Sequence, residues 1–415
     1  MLLLQNPFLV DRDVMTYKIP IMVPSYGEEE IDEAIASLRS RKVTMGEKVK
    51  AFEEGWANYI GTKYAVMVNS GSSANLLAHL LLSNPLIQKH ISPGEEIITP
   101  AVTWPTTVFP IINIGAIPVL VDVDLETLNM KTDQLDDALS EKTRAITFVH
   151  LLGNPCDMKE LLVFAKEHDL LLVEDACNAH GAEYGGRKCG NFGNVSTFSF
   201  YFSHIISTIE GGMLNTDSEE YYEQAKSLRS FGWTRGTKLE SSISKEYSFI
   251  DRRFMFAHLG FNFRPTEIQG AFGIHQIRRL DEFVRIRQEN AKYWIEELRK
   301  LEKYFILPRI TRGGTHVWHH FPLTVRPGAP FSREKIVEFL ENKGVETRSI
   351  SAGNIAEQPV MRLMNARKIG ELPNAQIVMR NSFEWGNHQG IHEEERSYVI
   401  ESIREFVHGF GSSGA

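Results

Sequence analysis

The stretch Leu171-Leu172-Val173-Glu174-Asp175-Ala176-Cys177-Asn178-Ala179-His180-Gly181-Ala182 contains a short apolar run that ends on two carboxylates. A continuous apolar run of this length is typical of a strand covered on both faces of a sheet. In open α/β sheets, function gathers at the carboxyl ends of such strands. Asp175 is therefore a candidate site residue, although on its own it also fits the N-cap of a following helix.

Around this stretch, apolar strand-like runs alternate with helical runs such as 73–82, 103–112 and 157–168. The predicted strands lie near residues 64–68, 96–99, 117–122, 145–150, 170–174, 195–200 and 213–216. This alternation predicts an α/β fold with a mostly parallel seven-stranded sheet. From about residue 305 the pattern restarts with a strand near 316–325, which indicates a smaller C-terminal α+β domain. We expect a large domain with an N-terminal arm over residues 1–285 and a small domain over 286–415.

Composition excludes several classes of protein. The chain has 415 residues, 42% hydrophobic and 24% charged, with a net charge of -8 and no basic patch, so nucleic acid is not an expected partner. No apolar run is long enough to span a membrane, and the opening Met1–Leu4 segment lacks the features of a signal peptide, so we expect a cytoplasmic protein. Three unclustered cysteines, Cys156, Cys177 and Cys189, argue against a disulfide framework, a metal site and an iron–sulfur cluster.

Two further segments carry polar or aromatic groups at predicted element ends. The turn from Asn69 to Asn75 includes Gly71 and Ser72 and opens a helix, where backbone N–H groups suit a phosphate. Read alone, it is more simply an ordinary helix start. Trp104 precedes another helix and offers a flat face for stacking, although a core tryptophan is the simpler interpretation in isolation.

The segment Ser199-Phe200-Tyr201-Phe202-Ser203-His204-Ile205-Ile206-Ser207-Thr208-Ile209-Glu210-Gly211-Gly212 resembles the cofactor-lysine segment of the DegT/DnrJ/EryC1/StrS sugar aminotransferases, with His204 in the place of the lysine. The segment Gly260–Gln269 and the stretches around Asp175, Trp104 and Gly71 resemble other motifs of that family, in the same order, over roughly residues 20–390.

The resemblance implies a fold of the aspartate aminotransferase type (fold type I) and a pyridoxal phosphate or pyridoxamine phosphate cofactor. It implies that Asp175 pairs with the ring nitrogen and that Trp104 stacks on the ring. It places Asn178 near the ring hydroxyl and Ser199 on the phosphate. It also implies that Asn262 reaches the cofactor phosphate of a partner subunit, so that a homodimer shares its active sites.

Replacing the lysine by histidine changes what the site can do. Histidine cannot link the cofactor covalently, but it can take and return protons near neutral pH. The resemblance is greatest to the 3-dehydratase branch of the family, which removes a hydroxyl beside a ketone. It implies catalysis by His204 and Asp175, a GDP-linked 4-keto-6-deoxyhexose such as GDP-4-keto-6-deoxy-D-mannose (the colitose pathway) as substrate, L-glutamate as amino donor and release of ammonia. That branch carries two consecutive histidines, whereas this chain has Ile205 in the second place.

Two other interpretations stay open at this point. One is a sugar-nucleotide aminotransferase whose lysine was mutated, and the other is a non-catalytic sugar-nucleotide-binding regulator. Candidates for contacts with the sugar nucleotide are Arg235, His319, Arg348 and His388, each of which also fits a structural or surface role.

Overall fold

The computed structural model describes residues 17–411. The Met1–Leu4 segment lies outside the described residues. The sequence suggests a frayed tail over residues 411–415, of which 412–415 also lie outside the described residues, whereas Gly411 is the last residue of a helix. The helices are α1 Glu28–Ser40, α2 Glu47–Ile60, α3 Gly71–Leu82, α4 Pro105–Asn113, α5 Leu135–Ala138, α6 Met158–Glu167, α7 Glu219–Arg229, α8 Leu239–Glu246, α9 Glu267–Leu298, α10 Arg333–Asn342, α11 Pro373–Asn381 and α12 Glu393–Gly411.

The strands form three sheets. They are β1 Tyr64–Val68, β2 Glu96–Pro100, β3 Ile117–Val121, β4 Thr143–Val149, β5 Leu171–Asp175, β6 Glu183–Tyr184, β7 Arg187–Lys188, β8 Val195–Ser199, β9 Gly212–Thr216, β10 Phe305–Ile306, β11 Gly314–Thr315, β12 His320–Val325, β13 Thr347–Arg348, β14 Arg367–Lys368 and β15 Ser382–Gly386.

The large sheet has the order β1-β9-β8-β5-β4-β2-β3-β14. The pairs from β8 to β14 are parallel, and β9 runs antiparallel to both of its neighbours, so the prediction of a mostly parallel sheet is confirmed. The sheet has one strand more than the seven predicted. The extra strand, β14, is two residues long and comes from the C-terminal part of the chain, so its sequence carries no periodic signal.

The C-terminal part builds a smaller antiparallel sheet, β10-β12-β15-β13. Its strand β12 begins at His320 rather than near residue 316, because Trp318 has a φ of 53° and interrupts the extended backbone. Trp294 and Leu298, near the end of α9, pack into the core of this sheet.

The helix α9 runs without a break through residue 285, where the sequence suggests a division between domains. Its earlier residue Leu280 packs with the large sheet and its later ones with the small sheet. Ile350 and Ala375, which follow that division, share a core cluster with Leu120 of strand β3 in the large sheet. The division at 285 stays a prediction.

Among the described residues, no helix combines the length and the apolar character needed to cross a membrane.

Candidate active site

The carboxylate of Asp175 ends β5 in the middle of the large sheet and is 3% exposed. Its Oδ2 accepts hydrogen bonds from Asn75 Nδ2 at 2.9 Å and from Thr107 Oγ1 at 2.7 Å. Its Oδ1 accepts from the backbone N–H of Cys177 at 3.1 Å. Side chains from α3 and α4 therefore hold Oδ2 of the predicted catalytic carboxylate, and a backbone N–H holds Oδ1.

The neighbouring carboxylate, Glu174, faces the other side of the sheet because side chains alternate along a strand. Its oxygens accept hydrogen bonds from the backbone N–H groups of Gly190, Phe192 and Gly193. It also bonds His150 Nε2 at 2.9 Å. These hydrogen bonds give Glu174 a structural role.

His150, Glu174 and Cys189 form the one group in residues 17–411 whose ligand atoms have the spacing of a metal site. His150 Nδ1 accepts from the Cys156 N–H, so Nε2 carries the ring hydrogen and donates to Glu174. Burial raises the pKa of the Cys189 thiol well above its ordinary value. This group therefore offers no imidazole lone pair and no thiolate to an ion.

The N-terminus of α3 lies directly against Ser199 at the end of β8. A Cβ on Gly71 would lie 2.3 Å from Ser199 Cβ, so only glycine allows this approach. Ser70 caps the helix by accepting the Ser73 N–H. The N–H groups of the first turn, including that of Ser72, have no intrahelical acceptors, and together with the Ser199 hydroxyl they form a cradle suited to a phosphate.

Trp104 is the N-cap residue of α4, just beyond the end of β2, and is 58% exposed. This exposure removes the alternative that it is a core tryptophan. Thr103 Oγ1 donates to Thr107 Oγ1 at 2.7 Å, and Thr107 in turn donates to Asp175. A short polar chain thus leads from Thr103, the residue before Trp104, to the buried carboxylate.

His204 lies in the loop between β8 and β9, where its N–H donates to Tyr201 O at 2.9 Å. Its ring is half-buried and packs near His180 and His319, with centroids 5.8 and 5.0 Å away. Burial lowers the pKa of His204 well below its ordinary value of 6.5. The nearby groups that lower this pKa further are His180, His320 and Arg287. His204 is therefore a neutral base at neutral pH.

Ile205 points away from this site. It is fully buried and packs with Phe52, Phe198 and Phe200 in the core beneath the loop. A second histidine at position 205 would place an imidazole in an apolar cluster, so the departure from the two-histidine pattern has a packing explanation.

The remaining sequence candidates lie in different surroundings. Asn178 is half-buried. Its backbone carbonyl lies close to Gly153, because a Cβ added to Gly153 would be only 2.7 Å from that carbonyl oxygen. Asn262 is exposed, and its Oδ1 accepts from Arg264 Nε at 2.9 Å. His388 is buried and bonds Pro20 O at 3.0 Å, and burial lowers its pKa to about 3.

The arginine candidates are both exposed. Arg235 follows the turn that begins at Phe231, and Arg348 pairs with Glu346 on the small sheet. The structure describes no contact of either with Asp175 or His204. Their role in binding a sugar nucleotide stays a prediction.

Sequence reasoning missed the two residues that hold Asp175. Asn75 and Thr107 both lie inside motifs singled out for other residues, namely the helix start at Gly71 and the segment around Trp104. A signal was available for Asn75, since an amide in the interior of an apolar helix requires a polar partner when buried.

Comparison with known proteins decides the family. The model of the DegT/DnrJ/EryC1/StrS aminotransferase family matches residues 24–404. The chain belongs to this family. Within the DegT/DnrJ/EryC1/StrS family, the GDP-4-keto-6-deoxy-D-mannose 3-dehydratase of Yersinia pseudotuberculosis is 36% identical over 89% of this chain and 94% of its own length.

Two other members of the DegT/DnrJ/EryC1/StrS family bear on the site. The dTDP-4-dehydro-2,6-dideoxy-D-glucose 3-dehydratase of Saccharopolyspora spinosa is also 36% identical, over 92% of this chain and 86% of its own length. A solved GDP-4-keto-6-deoxymannose 3-dehydratase with a trapped PLP-glutamate geminal diamine superposes with a TM-score of 0.85 at 34% identity, covering 93% of this chain and 100% of its own. The expected aminotransferase-type fold is thereby confirmed.

Proposed function

We propose that this protein is a pyridoxamine phosphate-dependent 3-dehydratase that removes the C3 hydroxyl of a nucleotide-linked 4-keto-6-deoxyhexose. The substrate we propose is GDP-4-keto-6-deoxy-D-mannose, with L-glutamate as the amino donor. The observation that carries the proposal is a neutral, half-buried histidine at position 204, where the aminotransferases of this family have a lysine. The similarity to enzymes named as 3-dehydratases supports it.

The residues present fit the cofactor. Asp175 is buried, and no lysine or arginine pairs with it in the described part of the chain. A buried carboxylate is costly without a cationic partner, which a protonated pyridine nitrogen would provide. The cradle at Gly71, Ser72 and Ser199 would hold the phosphate, and the exposed indole of Trp104 would cover the ring.

When bound, the cofactor supplies an electron sink and the nitrogen that condenses with the substrate ketone. The chain supplies the proton transfers and the orientation. Asp175 keeps the proton on the ring nitrogen, because Asn75 and Thr107 hold its carboxylate in one position. His204 takes a proton at its ring nitrogen and returns it to the departing hydroxyl, since its lowered pKa leaves it neutral before the transfer.

The overall reaction balances without an external reductant. The sugar loses one oxygen, glutamate becomes 2-oxoglutarate, and one ammonia is released for each sugar converted. No iron–sulfur cluster enters this scheme, and the chain has only three cysteines where such a cluster usually takes four thiolates. A cytoplasmic location, as expected from the sequence, is part of the proposal.

A homodimer is also part of the proposal. Segment 247–261 carries exposed large apolar side chains, including Leu259 at 94% and Phe249 at 83%. It leads directly to Asn262, which is exposed as well. A concentration of exposed apolar side chains is typical of an interaction surface. A second copy of the chain seated there would bring Asn262 toward the partner's cofactor.

Incubation with substrate tests the function. The protein is mixed with pyridoxal phosphate, glutamate and either GDP- or dTDP-linked 4-keto-6-deoxyhexose, and the sugar products are weighed by mass spectrometry. We expect a GDP-sugar product lacking one oxygen. An unchanged GDP-sugar together with a deoxygenated dTDP-sugar would correct the nucleotide, and two unchanged sugars would reject the proposal. Borohydride reduction of the loaded protein, which fixes any lysine-linked cofactor, is expected to give no mass increase.

A further inference from the structure

The ring of His319 is the side chain nearest to His204 among the ring contacts that the structure describes. Their centroids lie 5.0 Å apart with a tilt of 37°, and they come from distant segments, the loop after β8 and the turn before β12. The Nδ1 atoms of both rings are buried and have no hydrogen-bond partner. Two unsatisfied ring nitrogens therefore lie on neighbouring rings beside the candidate active site.

The backbone holds His319 firmly in this place. Its N–H donates to Leu152 O at 2.8 Å, and its carbonyl accepts from Arg287 Nη1 at 2.7 Å. The preceding residue, Trp318, has a φ of 53°, and its carbonyl accepts from Asn387 Nδ2 at 3.1 Å. A left-handed conformation at a bulky residue persists where the surroundings enforce it, often next to functional groups.

A histidine that acts as a base needs a partner for its second nitrogen. The partner fixes the tautomer, so that the working nitrogen carries the lone pair. In the described part of the chain no carboxylate bonds His204, whereas His319 presents a buried nitrogen next to it. Burial lowers the pKa of His319 well below its ordinary value, so its ring is neutral and can accept a hydrogen bond.

We propose that His319 is the positioning residue of His204. A rotation of the two neighbouring rings would pair their unsatisfied nitrogens, so that the Nδ1–H of His204 donates to Nδ1 of His319 and Nε2 of His204 is left to act as the base. When Nε2 takes a proton, one N–H bond forms there, and the positive charge on the ring is stabilised by the hydrogen bond to His319. The same proton leaves Nε2 for the departing hydroxyl, and no electrons are exchanged between the rings. The role in catalysis rests on the proposed function, whereas the contact itself does not.

Among the other groups around His204, His180 lies farther away than His319, with ring centroids at 5.8 Å, and two more are excluded by their own bonds or chemistry. Those facing it are His180 after β5, His320 on β12, Arg287 on α9 and Tyr201 on its own loop. His320 Nδ1 already bonds Glu384 Oε1 at 2.8 Å, and Arg287 has no acceptor nitrogen. The ring centroids of His320 and His319 lie 4.3 Å apart. The Glu384 carboxylate, which bonds His320, therefore lies on the far side of His320 from His319 in this chain of contacts.

Nitrogen NMR of the cofactor-free full chain, labelled with ¹⁵N-histidine, tests the contact. The His204 signals are assigned by their loss in His204→Gln. We expect an Nδ1-protonated His204 in the wild type at pH 7.5, loss of that tautomer preference in His319→Phe, and its recovery in His319→Gln, whose amide oxygen also accepts. The control is His316→Asn, in the same turn. In the wild type, Nδ1 of His316 accepts a hydrogen bond from the Trp318 N–H, and the amide oxygen of asparagine can replace it. His204 should not respond to it.

An unchanged His204 tautomer in His319→Phe would overturn the proposal, as would an Nε2-protonated His204 in the wild type. If His319→Phe does not fold, His319→Ala gives the same readout. In the loaded enzyme we expect kcat to fall by roughly tenfold to a hundredfold in His319→Phe, with KM little changed and partial rescue in His319→Gln. If the wild type shows the expected tautomer but converts no sugar, the proposed function is rejected, whereas the contact between His204 and His319 is retained.

Discussion

Thr107 donates a 2.7 Å hydrogen bond to Asp175, although the two residues are separated by 68 positions and lie on different elements, α4 and β5. Asn75 reaches the same oxygen from α3 at 2.9 Å. The carboxylate proposed to hold the cofactor nitrogen is therefore oriented before any ligand binds. This preorganisation leads to a direct test.

Thr107→Val removes one donor to Asp175 while keeping the shape of the side chain. We expect cofactor binding to weaken by about 1–3 kcal/mol, because the buried carboxylate loses a hydrogen bond and its fixed orientation. The dissociation constant of pyridoxal phosphate, from the change in its absorbance, measures the effect. The control is Thr99→Val, since Thr99 Oγ1 is buried without a partner. Equal affinities in Thr107→Val and in the wild type would refute this role.

Gly71→Ala is expected to damage the phosphate cradle. Its Cβ would lie 2.3 Å from Ser199 Cβ and 3.0 Å from Ser199 Cα, so the start of α3 must shift. We expect a lower Tm and loss of cofactor binding, measured by thermal unfolding with and without pyridoxal phosphate. Gly55→Ala in α2 is the matched control, because its Cβ meets only the end of Ile277 at 3.4 Å. It should stabilise the protein by roughly 0.5–1 kcal/mol.

The buried histidines predict a stability that falls with acid. Burial lowers the pKa of His180 to about 3, of His388 to about 3 and of His79 to about 4, whereas an unfolded histidine titrates near 6.5. Below pH 6.5 the unfolded chain binds protons that the folded chain does not. The free energy of unfolding should therefore decrease from pH 6.5 toward pH 4, by up to ~1.4 kcal/mol per pH unit for each histidine.

Urea unfolding at several pH values measures this dependence. His180 lies among the rings of Trp56, Phe198 and Phe200, so His180→Phe fits the surroundings and removes one titrating group. We expect a shallower slope in that variant. A slope that matches the wild type would show that His180 does not contribute.

Ile205→His restores the histidine pair of the related dehydratases and should not help the enzyme. Position 205 is fully buried among apolar side chains, so an imidazole there loses packing and has no described polar partner. We expect destabilisation by roughly 2–4 kcal/mol, measured by urea unfolding. Ile35→His on the exposed side of α1 serves as the control. A gain in turnover by Ile205→His would contradict the packing explanation.

Leu259→Asp tests the proposed dimer surface. Leu259 is 94% exposed in the single chain, so the substitution leaves the fold of the subunit intact and places a charge on the apolar segment. We expect the molar mass from light scattering to fall from that of a dimer to that of a monomer. A wild-type monomer, or an unchanged dimer in the variant, would count against this surface.

The sequence could indicate the sheet and several site residues because their signals are local. The apolar run into Asp175 and the helix start at Gly71 follow from strand length and turn chemistry, and the meaning of His204 came from the family resemblance. Which residues lie next to them in space could not be predicted from the sequence. His319 approaches His204 because a left-handed Trp318 ends the turn before β12, and single-residue backbone conformations of this kind leave no periodic signal. The packing of Ile205 depends in the same way on the path of the loop.

The fate of the glutamate nitrogen tests the central claim most directly. The protein is incubated with ¹⁵N-glutamate, pyridoxal phosphate and GDP-4-keto-6-deoxymannose, and the label is followed by mass spectrometry. The account predicts ¹⁵N in free ammonium, in an amount equal to the 2-oxoglutarate formed, and a nitrogen-free sugar product lacking one oxygen. A ¹⁵N-labelled amino sugar that keeps its C3 hydroxyl would show amino transfer instead and would contradict the account.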